Sequence, residues 1–194
     1  MNLHGVYVYV EQQLQQLPPT LTYHNAGHTL SDVLPASQRL AAAYRLTPEA
    51  QSLLETAALF HDIGYLRQYT DNEPIAADWA RQVLPGFGYT NEQIGVVERL
   101  ILVTALPQAP TCMLEAIMCD ADLDSLWRDD FIVISQALRT ELENHGMQVP
   151  QQDWLNRQID FLQQHHYFCE AESSRRQAGK QQNIRILKQL LEAS

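Results

Sequence analysis

Two histidine-bearing stretches and one run of aspartates hold the side chains of this chain best suited to chemistry. The first is Tyr23-His24-Asn25-Ala26-Gly27-His28-Thr29, the second Phe60-His61-Asp62-Ile63-Gly64-Tyr65, and the third Cys119-Asp120-Ala121-Asp122-Leu123-Asp124. Neutral imidazole nitrogens and carboxylate oxygens suit zinc, manganese, iron and, less well for the nitrogens, magnesium, so two His with two Asp make a divalent-metal set that needs no thiol. His24 and His28 lie four residues apart, so in a helix or at its entry both rings fall to one side. His61 and Asp62 are adjacent and cannot share a helix face fully, but at a helix end they can approach one ion from neighbouring directions. Asp120, Asp122 and Asp124 crowd three carboxylates into an apolar context of Ile117, Met118, Leu123 and Leu126, where a cation relieves their repulsion.

The elements that must position these groups read as helices. Thr47 and Pro48 form a cap and first turn, and Leu54, Ala58, His61 and Asp62 follow on or beside one buried stripe until Gly64 ends the helix. Asn72 is expected to cap a helix with Pro74 in its first turn, running toward Pro85-Gly86. Thr90 and Gln93 spell a capping box ahead of Ile94, Val97, Ile101 and Leu102. Further helices are expected from Met113 to Leu126, from about Asp129 to His145 with Gly146 as the stop, from Pro150 to about Cys169, and from about Ser174 to Leu191. Val6 to Val10 alternates like a strand, but the glutamine-rich stretch behind it favours a helix ended by Pro18-Pro19. Strand signals are otherwise scarce, so the expectation is an all-α, single-domain helical bundle with its site between core helices.

Bulk properties narrow the function classes. A chain of 194 residues suits one domain with a sizeable core, and 45% hydrophobic with 19% charged residues is ordinary for a globular protein. The 13 basic against 23 acidic residues leave a formal charge of -10, which disfavours duplex nucleic acid and anionic membrane as partners. An anionic substrate therefore needs local positive charge, which a metal supplies. Three cysteines without C-x-x-C spacing argue against disulfides or thiolate zinc, and the N-terminus carries no apolar stretch near bilayer length, so the expected location is cytoplasmic.

The three stretches, in this order, resemble the HD-domain superfamily of metal-dependent phosphohydrolases. Its pattern is a His, then an adjacent His-Asp, then a later Asp that commonly follows Ala and precedes a hydrophobic residue. His28, His61, Asp62 and Asp122 match it, and the resemblance implies that they are the metal ligands; Asp122 takes the role over Asp120 because Ala121 and Leu123 flank it. The match covers residues 23–126, with the helices of 129–192 completing a single HD domain over 1–194. The Tyr-His-Asn-x-x-His segment further resembles cyclic-nucleotide phosphodiesterases of the superfamily, which implies that His24 is the general acid toward the leaving oxygen. The activity so implied is hydrolysis of a small phosphate ester, such as a nucleotide or cyclic nucleotide, by metal-activated water. Asp120 or Asp122 is then the proton acceptor, and Arg67 and Lys180 are candidate contacts to the substrate anion.

One divalent ion is expected, with manganese, zinc, iron, cobalt, nickel and magnesium all admissible and homo-oligomerisation left open. Thr104 stands where some relatives have another His, which weighs against a second fully liganded metal. Tyr65 replaces a Lys found in several branches, and Glu73 belongs to an Asn-Glu-x-x-Ala-Ala element that lacks the usual His. Two other readings compete: a metal-retaining regulatory module without turnover, and an iron-dependent oxygenase of HD type. Outside the motif, Arg175-Arg176 reads as a solvated face and His4, His145 and His165-His166 as surface or interface residues. Trp79, Trp127 and Trp154 read as packing anchors.

Overall fold

The computed structural model describes residues 1–193, and every regular element among them is helical. The all-α expectation holds. The chain gathers into two compact units, one made of Met1–Pro18 and His24–Asp122, the other of Pro19–Tyr23 and the chain from Leu123 onward.

The first unit opens with α1 (Leu3–Leu14), where the Asn2 side chain accepts the Gly5 N–H. Val6, Val10 and Leu14 are buried while Val8 is 37% exposed, so the valines serve a helical stripe recurring every four residues and not a strand face recurring every two. Residues 26–27 enter a second helix that widens into a π-helical turn over His28–Val33, with the Leu34 N–H reaching the Thr29 carbonyl, before continuing as α2 (Leu34–Ala43). In α3 (Pro48–Phe60) Thr47 accepts the Ala50 N–H, and every residue from Leu53 to Phe60 is buried. His61 closes that helix and Asp62 leads into a single 3-10 turn, Ile63–Leu66.

Gly64 lets this turn meet the start of α4 (Asn72–Val83): a Cβ there would lie 2.1 Å from the Asn72 carbonyl oxygen. With Asn72 buried against that glycine, the capping position passes to Asp71, which takes the left-handed conformation at φ 53°. The Thr90 and Gln93 capping box forms at the head of α5 (Asn91–Leu102), and α6 (Met113–Asp122) completes the unit. α3 is its axis, with α1, α2, α5 and α6 packed on it, while α4 runs along α5.

The helix expected to continue to Leu126 stops at Asp122, and Asp124–Trp127 forms a 3-10 turn in the second unit. Asp124 accounts for the tightening: its Oδ1 accepts the Trp127 indole N–H at 2.9 Å and faces Arg176 at 3.2 Å, which holds the turn closed. α7 (Phe131–Asn144) is stitched to the 19–23 segment, since Thr22 donates to the Ala137 carbonyl and the Tyr23 N–H to Glu141. α8 (Gln151–Gln164) ends five residues short of Cys169. There the Lys180 ammonium donates to the His165 carbonyl, a cation at the negative end of the helix. α9 (Ser173–Glu192) packs on α8 and on the 3-10 turn, and Leu126, Phe131, Leu155, Ile159, Leu162, Ile184 and Leu187 form the core of this unit. Arg176 is not on a solvated face: it is fully buried on α9.

Candidate metal centre

Three elements of the first unit bring their polar ends to one point. His28 sits at the head of the π-helical turn, a deformation that recurs at functional sites because it re-aims a side chain within a helix. The Asn25 side chain accepts the Gly27 and His28 N–H groups at 2.8 and 3.3 Å and so caps that entry. His61 and Asp62 leave the buried C-terminal end of α3, and Asp122 is the last residue of α6.

The nitrogen and oxygen atoms that His28, His61 and Asp122 can offer all lie within 4.8 Å of one another. Asp122 Oδ1 is 3.5 Å from His28 Nε2 and 3.4 Å from His61 Nε2, and Asp62 Oδ2 is 3.6 and 3.2 Å from the same two nitrogens. Residue by residue, the four expected ligands converge. They are also dry: side-chain exposure is 4% for His28, 1% for His61, 8% for Asp62 and 15% for Asp122.

A proton count shows that the set fits a cation. His61 Nδ1 lies 2.8 Å from the Ala58 carbonyl, and a carbonyl can only accept, so one proton sits on Nδ1, and in the neutral ring His61 aims its Nε2 lone pair at the cluster. An imidazole tied by one nitrogen to a backbone carbonyl is the arrangement that orients metal-bound histidines. His61 Nε2 and Asp62 Oδ2 are both buried and make no hydrogen bond, a state that costs free energy unless an ion or a proton joins them.

The electrostatics agree. Burial alone would raise the Asp62 carboxyl, but the charges of His61, His24 and His28 outweigh it and hold the group well below the usual carboxylate range. Asp122 is lowered in the same way, against burial, by His28 and His61. Burial also works against a charged His61, yet Asp62 and Asp122 prevail and raise its pKa well above 6.5. Two ionised carboxylates and two imidazoles, one of them competing for a proton, form a site in which a divalent ion can replace that proton.

His24 precedes the helix and is not on it. Its ring meets the His28 ring edge-on at 6.0 Å and stacks on Tyr65 at 4.4 Å, and Tyr65 in turn tilts against Tyr69 at 5.8 Å, so a row of partly buried rings leads away from the ligands. Asp120 is fully buried on α6, two positions before Asp122. Arg67 is exposed with its guanidinium 4.1 Å over the Trp79 ring. Lys180 is buried in the second unit on the His165 carbonyl.

His165, expected at the surface, is partly buried with neither ring nitrogen hydrogen-bonded, and burial together with the Lys180 charge lowers its pKa to about 4. Cys119 donates to the Val103 carbonyl, and burial with the nearby Asp122 and Asp120 charges pushes its thiol up to about 12, so it is no thiolate ligand. Of two further neighbours of the cluster, Tyr65 belongs to the His61-Asp62 stretch while Gln108 carries no motif that names it. Tyr65 stacks on His24, and Gln108, in the loop before α6, donates from Nε2 to Asp122 Oδ2 at 3.2 Å. No protein-family model, no curated protein and no solved structure matches this chain.

Proposed function

We propose that this chain is a metal-dependent phosphohydrolase of the HD-domain kind, acting on a small phosphate ester such as a nucleotide. The observation that carries the reading is the convergence of His28, His61, Asp62 and Asp122 from three elements on one buried point, with an unbonded imidazole nitrogen and carboxylate oxygen among them. A bound divalent ion would supply charge for a phosphoryl oxygen and acidity for an attacking water.

The protein's own groups do the rest. Asp62 and Asp122, kept ionised, would hold the ion together with His28 and His61. His24, held by the Tyr65 ring at the edge of the cluster, is the group positioned to protonate the leaving oxygen. Asp120, buried two positions before Asp122 on α6, is the alternative proton acceptor. Arg67 is free to reach an anion only by leaving Trp79, and Lys180 is committed to the end of α8. The three cysteines form no disulfide, which accords with a reducing, cytoplasmic setting.

The test is a panel of nucleoside mono-, di- and triphosphates, cyclic nucleotides and a chromogenic diester, each with manganese, cobalt, nickel, magnesium or iron. Turnover that needs a metal and vanishes in His61→Ala and Asp62→Ala supports the reading. Activity that survives both substitutions overturns it. Metal bound without turnover of any ester favours the regulatory module, and iron-dependent oxygen uptake favours the oxygenase.

A further inference from the structure

We infer that Gln108 is a positioning residue for Asp122, one that engages Oδ2 so that Oδ1 alone is offered to the ion; the inference rests on the metal reading above. Gln108 is partly buried in the loop joining α5 to α6. Its Nε2 donates to Asp122 Oδ2 at 3.2 Å and, more weakly, to the Thr104 carbonyl at 3.5 Å. A primary amide has two N–H donors, so both are spent, one on the ligand and one on the anchor. The anchor is itself fixed, because buried Thr104 donates its hydroxyl to the Ile101 carbonyl at 2.8 Å at the end of α5.

The effect is to make the two oxygens of Asp122 unequal. Oδ1 faces both imidazoles, at 3.5 and 3.4 Å, while Oδ2 is held by the amide. A carboxylate with both oxygens free can turn to chelate an ion through both, which fills an extra coordination position. With Oδ2 engaged, that position stays open for water or substrate, as a catalytic centre requires. A neutral amide suits the task better than a lysine or arginine, whose charge would pair with Asp122 and compete with the ion for it.

The experiment is calorimetric titration of the metal-free chain with manganese and with zinc, together with the visible spectrum of the cobalt-loaded protein. The variants are Gln108→Ala and Gln108→Met, the second keeping the side-chain volume while removing the donors. Both are expected to bind the ions about 10–100-fold more weakly, the range for loss of an outer partner of a metal ligand. Their cobalt bands are expected to change in intensity as Asp122 becomes free to chelate. Unchanged affinity in both variants overturns the inference and leaves the metal reading standing. Weaker binding with an unaltered cobalt spectrum also overturns it, because the ligand set would then be intact and Gln108 would only anchor the loop through Thr104. An unaltered chain that binds none of the three ions overturns the metal reading itself, and this inference with it.

Discussion

At the scale of single residues, His61 is constrained at both nitrogens of its ring. Its Nδ1 is committed to the Ala58 carbonyl, and its Nε2 faces two carboxylates. In the metal-free protein its pKa lies above 6.5 because those carboxylates outweigh burial. The pairing therefore stabilises the fold fully below the unfolded-state pKa and loses its contribution as pH rises through the folded one. A metal requires the neutral ring, so ion and proton compete over that same window. Manganese or zinc affinity should rise with pH through it, and titration in buffers of different ionisation heat should show proton release near neutral pH that is absent in His61→Ala. His165 shows the opposite sign. Its pKa is lowered to about 4, so as pH falls from 6.5 the unfolded chain takes up a proton that the folded chain refuses, and stability drops. The expected slope is at most about 1.4 kcal/mol per pH unit, the ceiling for one proton. Denaturant midpoints at neutral pH and at about pH 5 should differ less for His165→Gln than for the unaltered chain.

At the scale of elements, the converging side chains depend on helix ends. The C-terminal end of α3 is buried, which takes His61 and Asp62 out of water, and the 3-10 turn after them is pressed on the start of α4 at Gly64. Gly64→Ala should therefore cost about 1–3 kcal/mol by overpacking against backbone and also weaken metal binding, because the turn that follows Asp62 must shift. Gly86→Ala, with nothing within 4 Å of its added carbon, is the control and should stay within about 0.5 kcal/mol of the unaltered chain by chemical denaturation. The π-helical turn at His28 has the same logic, since one wide turn sets the direction of a ring that an unbroken α-helix would aim elsewhere.

At the scale of the whole molecule, a site drawn from residues as far apart in sequence as His28 and Asp122 exists only in the folded state, so on the proposed metal reading ion and fold would be linked. Manganese or zinc at about 100 times its dissociation constant should add about 2.7 kcal/mol of stability, seen as a rise in melting temperature that a chelator reverses. His61→Ala should lose that rise. No helix among the described residues is long and apolar enough to cross a membrane, and the net charge of -10 disfavours non-specific attraction to anionic surfaces.

Helix content and the four side chains that converge were legible in the sequence because both are local: caps such as Thr47 and Thr90, apolar spacing, and the order of His28, His61-Asp62 and Asp122 are written in short stretches. The strand-like valines of α1 were legible only through the residues behind them. What tertiary structure decided is whatever depends on a partner remote in the chain. The helix after Met113 ends at Asp122 because Asp124 turns to Trp127 and Arg176, and α8 stops at Gln164, where Lys180 meets the carbonyl of His165. Arg176 and His165 look like surface residues by composition, yet one is fully buried and the other is held neutral among cations. Gln108 belongs to no motif and acquires its role from one contact with Asp122. Residue types and spacing determine which groups can bind an ion; only the packing of helices determines which of their atoms face each other, because a side chain's partners are set by distances in space that spacing along the chain does not encode.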